Sequence, residues 1–297
     1  MLEAIKLLRP QQWIKNTFLF LPAFFAGYIG FAGHWVLLIG GFVSFSLTAS
    51  AVYVLNDYRD READRLHPEK SKRPIASGKI GPKTALVLFA VLIIAGLGIA
   101  ALLKMSFFFI SLIYLFVNIL YSFGLKNVSI IDIMIVAVGF NLRLKGGGLL
   151  VDVSLSSWMT IMVFLLSLFI AVGKRRDDIL IKDTSGKVMR KSLAGYNIEF
   201  LNAWLGILAG VIIVAYIMYA QSPESMHHMG SYRLYYTMIF VIAGLMRYMQ
   251  LVYIDQKTGS PIKILYTDRF LQLVLILWIV VYFIIIYLPG ESIFGHL

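Results

Sequence analysis

The 297-residue chain has no cysteine. That excludes a disulfide framework, a thiol nucleophile and a cysteine-held metal or haem. Charge is also scarce: 14% of residues are Asp, Glu, Lys or Arg, against about a quarter in soluble domains. Acids are rarer than bases, 16 against 27. No stretch is polar and long enough for a separate soluble domain, so residues 1–297 are expected to form a single transmembrane catalytic domain. The first apolar run, from about Thr17 to Phe31, has no small-residue cleavage site followed by a polar chain. It reads as a retained helix rather than a signal peptide. The histidines His67, His227 and His228 make no metal-ligand set.

Apolar residues fill this gap: they make up 59% of the chain, and mean hydropathy is +0.80. Runs of around 20 apolar residues recur along the whole length, each long enough to cross a bilayer core. The expected fold class is all-α, a polytopic membrane protein. Nine spans are predicted, at 17–33, 36–56, 84–103, 106–123, 129–149, 157–173, 200–220, 234–253 and 270–288, with Leu2 to Leu8 as a short helix on the membrane surface.

On that map 22 Lys and Arg fall on one side, and only Lys104 and Arg233 on the other. This is the positive-inside pattern. It places the N-terminus in the cytoplasm and the C-terminus outside. The net charge of +11 thus reports topology, with membrane lipids and not nucleic acid as the default partner. The long connections, 57–83, 174–199 and 254–269, all lie on the cytoplasmic side, so the active face is expected there.

Two charged clusters close inner span ends. In the first, Asn56, Asp57, Asp60 and Asp64 fall within roughly a 100° arc of a helix. Carboxylates at a membrane boundary are usually kept for a cation or a reaction, and oxygen ligands of this kind suit Mg²⁺ carrying a phosphorylated substrate. The loop that follows supplies phosphate-binding cations, Lys70, Lys72 and Arg73, stiffened by Pro68 and Pro74 and turned at Gly78. Beside the acid stripe this combination outweighs the alternative of a loop that merely meets lipid headgroups. The second cluster, Lys174-Arg175-Arg176-Asp177-Asp178, is cationic with one acid, Asp178, on the arc of Lys174 and Arg175.

Single residues are more ambiguous. Arg143 lies deep in the fifth span, where a cation costs about 2.5–3.5 kcal/mol, and is expected to face an internal polar cavity. Lys145 has two even readings, cavity or outward snorkelling through Gly146–Gly148. Trp13 suits the interfacial belt, while Lys15 and Asn16 reach toward the cavity. Arg247 and Tyr248 sit inside the eighth span, and Asp268 is placed to cap the ninth.

The motif Asn56-Asp57-x-x-Asp60-x-x-x-Asp64, closing an inner helix of a nine-span chain, resembles the UbiA superfamily of intramembrane prenyltransferases. Further motifs resemble its decaprenyl-phosphate phosphoribosyltransferase branch. They are Arg9-Pro10-x-Gln12-Trp13-x-Lys15-Asn16, His67-Pro68-x-Lys70-x-x-Arg73-Pro74, Gly173-Lys174-Arg175-x-x-Asp178, Leu193-x-x-Tyr196, Arg247-Tyr248 and Asp268-Arg269. The resemblance implies a bundle around a central cavity open to the cytoplasmic side of a bacterial membrane. It implies transfer of 5-phosphoribosyl from phosphoribosyl pyrophosphate to a polyprenyl phosphate, with Mg²⁺ as cofactor, toward a cell-envelope pentose precursor. A homo-oligomer is compatible with it.

The implied site residues are Asp57, Asp60 and Asp64 for the metal, oriented by Asn56, and Lys15, Asn16, Lys70 and Arg73 for donor phosphates. Lys174, Arg175, Arg143 and Arg247 are implied for the lipid phosphate, and Tyr196 and Asp178 for substrate contacts. Superfamily members that move a prenyl group usually carry a second Asp-rich motif where this chain has Lys174 and Arg175. An aromatic-acceptor prenyltransferase is the alternative enzyme, and a lipid-phosphate carrier the non-enzymatic one.

Overall fold

The computed structural model describes residues 2–66, 70–185, 191–222, 232–255 and 261–288. His67, Pro68, Glu69, His227 and His228 lie outside them. The described residues are helical, with no strand among them. Among the described residues, eight helical stretches are long and apolar enough to cross a membrane. The most apolar windows of the second and the last are only 17% buried within the protein. Side chains such as Ile94 and Leu102 are left exposed, which only lipid tails can cover at low cost. The protein is an integral membrane protein.

The chain forms two compact units. Residues 1–24 and 28–155 make one; residues 25–27 and 156–297 make the other. The first contains helices α1 (Ala32–Arg65), α2 (Pro82–Leu103), α3 (Met105–Phe123) and α4 (Ile131–Leu150). The second contains α5 (Ser157–Ser185), α6 (Ile198–Ala220), α7 (Met238–Gln250) and α8 (Arg269–Tyr287). Each unit thus has four long helices, in keeping with the paired charged ends of the second and sixth predicted spans.

The first predicted span is not one helix. Residues Pro10–Phe20 wind as a 3-10 helix, Leu21–Phe25 as a short α-helix and Tyr28–Gly30 as a 3-10 turn. Pro22 lacks the N–H that a continuous ladder needs, and Gly27 turns the chain at φ +76°.

Two predicted loops start later than expected. α1 continues to Arg65 and α5 to Ser185, so both charged clusters ride on rigid helix. At 34 residues, α1 is about 50 Å long, well beyond a hydrocarbon core of about 30 Å. Its acidic end therefore projects past the apolar layer.

In the first unit, Leu38, Phe45, Ala49, Phe107, Tyr114 and Leu150 form the core. α1 and α2 approach closely because Gly96 faces Ser44 and Thr48; the Ser44 hydroxyl donates to the Gly96 carbonyl at 2.7 Å. Small residues allow such approach in membranes.

The Gly146–Gly148 run serves the N-terminal segment in the same way. A Cβ on Gly147 would stand 2.0 Å from the Leu19 carbonyl oxygen. Gly147→Ala should therefore cost about 3 kcal/mol and unseat Lys15 and Asn16. Gly98, with open space around it, is the control: Gly98→Ala should leave thermal unfolding in detergent unchanged.

Gly146 and Gly147 lie against Leu19, and Gly148 against Val153 and Leu155. Lys145 is exposed on α4, while Arg143 is buried.

Candidate functional site

In the first unit, the acid stripe splits into two pairs, each closed by one cationic nitrogen. Arg73 Nη1 donates to Asp57 Oδ1 at 2.9 Å and to Asp64 Oδ2 at 2.7 Å. Lys126 Nζ donates to Asn56 Oδ1 at 3.0 Å and to Asp60 Oδ1. Asp57 also accepts from Arg9 Nη2 at 2.6 Å. Asp57 is 3% exposed, so these contacts operate where water screens little. Three carboxylates are balanced by three bases in direct contact.

Local structure aims each base. Arg73 follows the 3-10 turn Lys70–Lys72, and its N–H bonds the Lys70 carbonyl at 2.9 Å. Two residues on, Ile75 plugs into the cluster of Leu7, Ala51 and Val54, which fastens the loop to α1. Lys70 acts electrostatically on Asp64. Arg9 sits at φ +50°, a left-handed conformation that costs a non-glycine residue of order 1 kcal/mol. It is held there as Trp13 donates to Ser50 at 3.0 Å and Ser50 to the Leu8 carbonyl at 2.8 Å. Trp13 is thus tied to α1 rather than serving only as an interfacial anchor.

Deeper in the same unit, Arg143 is 4% exposed. Its Nε donates to Asn16 Oδ1 at 2.7 Å, Nη1 to the Gly139 carbonyl at 2.8 Å and Nη2 to the Tyr114 hydroxyl at 3.0 Å. Its guanidinium lies 5.0 Å from the Phe45 ring centre and 4.7 Å from that of Tyr114. Among the described residues no carboxylate pairs with it. Asn16 is held in turn by its own donation to Ser46 at 2.9 Å.

Lys15 is the next cation along. Part of its surface stays accessible, yet protein packs round the ammonium. Burial pushes its pKa down to about 8, and the nearby charges of Arg143 and Arg9 add to the shift. The structure therefore brings Lys15, Asn16 and Arg143 together in one cationic neighbourhood, although sequence reasoning had divided them between two substrates.

Because the charged form is disfavoured, stability of the free protein should rise with pH between about 8 and 10.5, where the unfolded chain holds more protons. Anion binding goes the other way. If Lys15 must be protonated, affinity for a phosphorylated ligand should fall up to about tenfold per pH unit above 8. Lys15→Arg should flatten that profile, since guanidinium stays charged. Binding titrations at pH 7, 8 and 9 would check both.

In the second unit, Arg175 is buried and donates to Asp178 at 2.6 Å. Lys174 begins this turn of α5, and Gly173 before it makes room for Tyr248, whose hydroxyl would be 2.6 Å from a Cβ there. Arg176 turns inward, to Asn202 at 2.7 Å and the Val252 carbonyl at 2.6 Å, with Tyr253 beneath it.

Arg247 forks onto Asp268, with Nη2 to Oδ2 at 2.6 Å and Nε to both oxygens at 3.1–3.2 Å. Asp268 also caps α8 through the Leu271 N–H at 2.8 Å. Arg247 holds this carboxyl below its usual range, with help from that backbone donor. Tyr196 is buried, its ring 6.1 Å from Phe200.

Among the described residues no three acids converge into a metal cage. The donor set still fits magnesium, which commonly takes one or two carboxylates and completes its shell with substrate phosphates and water. Each oxygen pair is already bridged by one cationic nitrogen, Arg73 at Asp57 and Asp64 and Lys126 at Asn56 and Asp60, and Asp57 also meets Arg9. Sequence reasoning missed Lys126 because it sits in a short connection expected on the cytoplasmic side, where a basic residue looks like ordinary positive-inside bias. Arg9 entered only as part of a motif.

The sequence profile of the UbiA prenyltransferase family matches residues 17–272. A decaprenyl-phosphate phosphoribosyltransferase of Mycolicibacterium smegmatis is 34% identical over 288 residues, 93% of this chain and 89% of that protein. One of Mycobacterium tuberculosis is 33% identical over 280 residues, 93% and 91% of the two chains. Among solved structures, a UbiA homolog from Archaeoglobus fulgidus bound to GPP and Mg²⁺ superposes with a TM-score of 0.71 at 19% identity, over 96% of this chain and 99% of that one. The match to the family profile runs through both helical units and over most of the chain, acid stripe included; this chain belongs to the UbiA prenyltransferase family.

Proposed function

We propose that the protein transfers 5-phosphoribosyl from phosphoribosyl pyrophosphate to a polyprenyl phosphate of the decaprenyl type, releasing pyrophosphate. The observation that carries this reading is the direct pairing of Asp57, Asp60 and Asp64 with Arg9, Arg73 and Lys126. A metal-bound diphosphate can take over these contacts, the ion at the carboxylates and the phosphate oxygens at the released cations. The activity named for the mycobacterial relatives supports the choice of transferred group and acceptor.

Asp57, Asp60 and Asp64, with Asn56, would hold Mg²⁺; support for this ion is the Mg²⁺ bound in the fold relative from Archaeoglobus fulgidus. When bound, the ion supplies charge neutralisation at the leaving pyrophosphate. The chain's own residues do the rest. Arg73 and Lys70 hold donor phosphates once the carboxylates release them. Lys15 and Asn16 hold the donor at the deeper end. Lys174 and Arg175, with Arg247, hold the lipid phosphate, while Arg143 acts with its neighbours Lys15 and Asn16. Asp178 orients Arg175, and Tyr196 contacts the ribose.

No general base is needed. The second pKa of a phosphate monoester is near 6, so at pH 7 the lipid phosphate is already largely dianionic. Its oxygen attacks the sugar C1 as the C1–pyrophosphate bond breaks, with inversion, and aligning the two is the main catalytic task. The reading takes the whole chain as one catalytic domain, with the site on the cytoplasmic face. The positive-inside bias supports that orientation and a cytoplasmic N-terminus.

The direct test is incubation of membranes with labelled phosphoribosyl pyrophosphate or labelled prenyl diphosphate. Label should enter an acid-labile lipid only from the former. Label passing from prenyl diphosphate to an aromatic acceptor instead would overturn the assignment.

A further inference from the structure

Lys126 is 9% exposed and sits in the 3-10 turn Leu125–Asn127 between α3 and α4. Its ammonium meets Asn56 Oδ1 at 3.0 Å and is closer still to Asp60 Oδ1. A magnesium ion bound to those oxygens would lie about 2.0–2.1 Å from each. The ammonium and the ion cannot share that position. We infer that Lys126 is a tethered competitor of the divalent cation at the Asn56–Asp60 pair, so that metal enters there only together with an anion that takes over the displaced ammonium.

The physics follows from burial and charge. Displacing Lys126 by a bare dication would leave an ammonium without its carboxylate partner and add two positive charges to a stripe whose acids and bases already cancel. Low local dielectric makes that costly. A diphosphate brings the missing negative charge and accepts hydrogen bonds from the released ammonium. Metal and anion then bind with positive coupling, and by linkage each raises the affinity of the other equally. Arg73 acts alike at Asp57 and Asp64, but its loop also carries the donor-binding role. Lys126 separates the two effects because its turn lies on a different connection.

The inference rests on the magnesium-dependent reading above, and its test reads binding rather than turnover. Mn²⁺ is titrated into the purified full chain in detergent, with and without pyrophosphate, and bound Mn²⁺ is followed by its electron spin resonance signal. In the wild type, pyrophosphate should tighten Mn²⁺ at least tenfold. Lys126→Met should bind Mn²⁺ alone about tenfold more tightly than wild type and show little further gain from pyrophosphate. Lys126→Gln, which keeps a hydrogen-bond donor without the charge, should behave like Lys126→Met and serves if that variant does not fold. Lys126→Arg should keep the wild-type coupling.

Equal Mn²⁺ affinity in wild type and the uncharged variants would overturn the inference while Asp60→Asn still weakens binding. If Asp60→Asn and Asp57→Asn leave Mn²⁺ binding untouched, the metal is not on this stripe, and the magnesium reading falls together with the inference.

Discussion

Asp57→Asn should lower turnover by at least about 10³-fold. One lost electrostatic donor at a developing charge commonly costs 10²–10³, and this change touches more than one contact. Asp57 receives both Arg9 and Arg73, and in the proposed mechanism it also holds the ion that neutralises the leaving group. The variant should lose stability too, by about 2 kcal/mol, because two guanidinium groups lose the buried negative charge they pair with. That figure lies below the range for fully buried pairs, since both arginines retain some exposure. A second change separates the roles. Adding Arg9→Gln to Asp57→Asn should recover part of the stability, measured by thermal unfolding in detergent, and none of the turnover. Recovered turnover would mean that Asp57 serves only to pair Arg9.

Arg143→Met should do the reverse, leaving stability equal or higher while turnover falls at least about 10²-fold. Among the described residues, Arg143 is a buried charge hydrogen-bonded only to neutral groups: Asn16, Gly139 and Tyr114. Replacing buried ionic groups by well-packed apolar ones is often neutral or stabilising, and intramembrane cations are commonly kept for substrate. Phe45 and Tyr114, now against the guanidinium, would pack on the methionine. A clear drop in melting temperature with unchanged turnover would show Arg143 to be a structural strut between α4 and the N-terminal segment. A variant that melts higher and binds substrate poorly fits a cation held at a cost for an anion.

How much of this was legible beforehand differs from residue to residue. Asn56, Asp57, Asp60 and Asp64 were readable as one stripe because a helix repeats its face every three to four residues. Arg73 and Lys70 were readable because the loop follows directly. That Arg143 turns inward was readable because a charge that deep in a span has few alternatives. The partners were not readable. Lys126 reaches Asn56 and Asp60 across 70 and 66 residues, and Arg143 reaches Asn16 across 127. The first predicted span failed for a local reason: its apolar composition outweighed Pro22 and Gly27, which break the helical ladder.

Hydropathy and charge placement alone therefore determined that this is a helical membrane protein with an acidic helix end on its basic side. Both properties follow from the cost of taking polar groups into lipid, which acts on each segment separately. Tertiary packing decided which cation answers which acid, that the acids divide into two pairs, and that Arg143 rests on Asn16 and Tyr114. Those choices depend on close approach between distant segments, as where Gly147 admits Leu19, and side-chain contact sets them rather than local pattern.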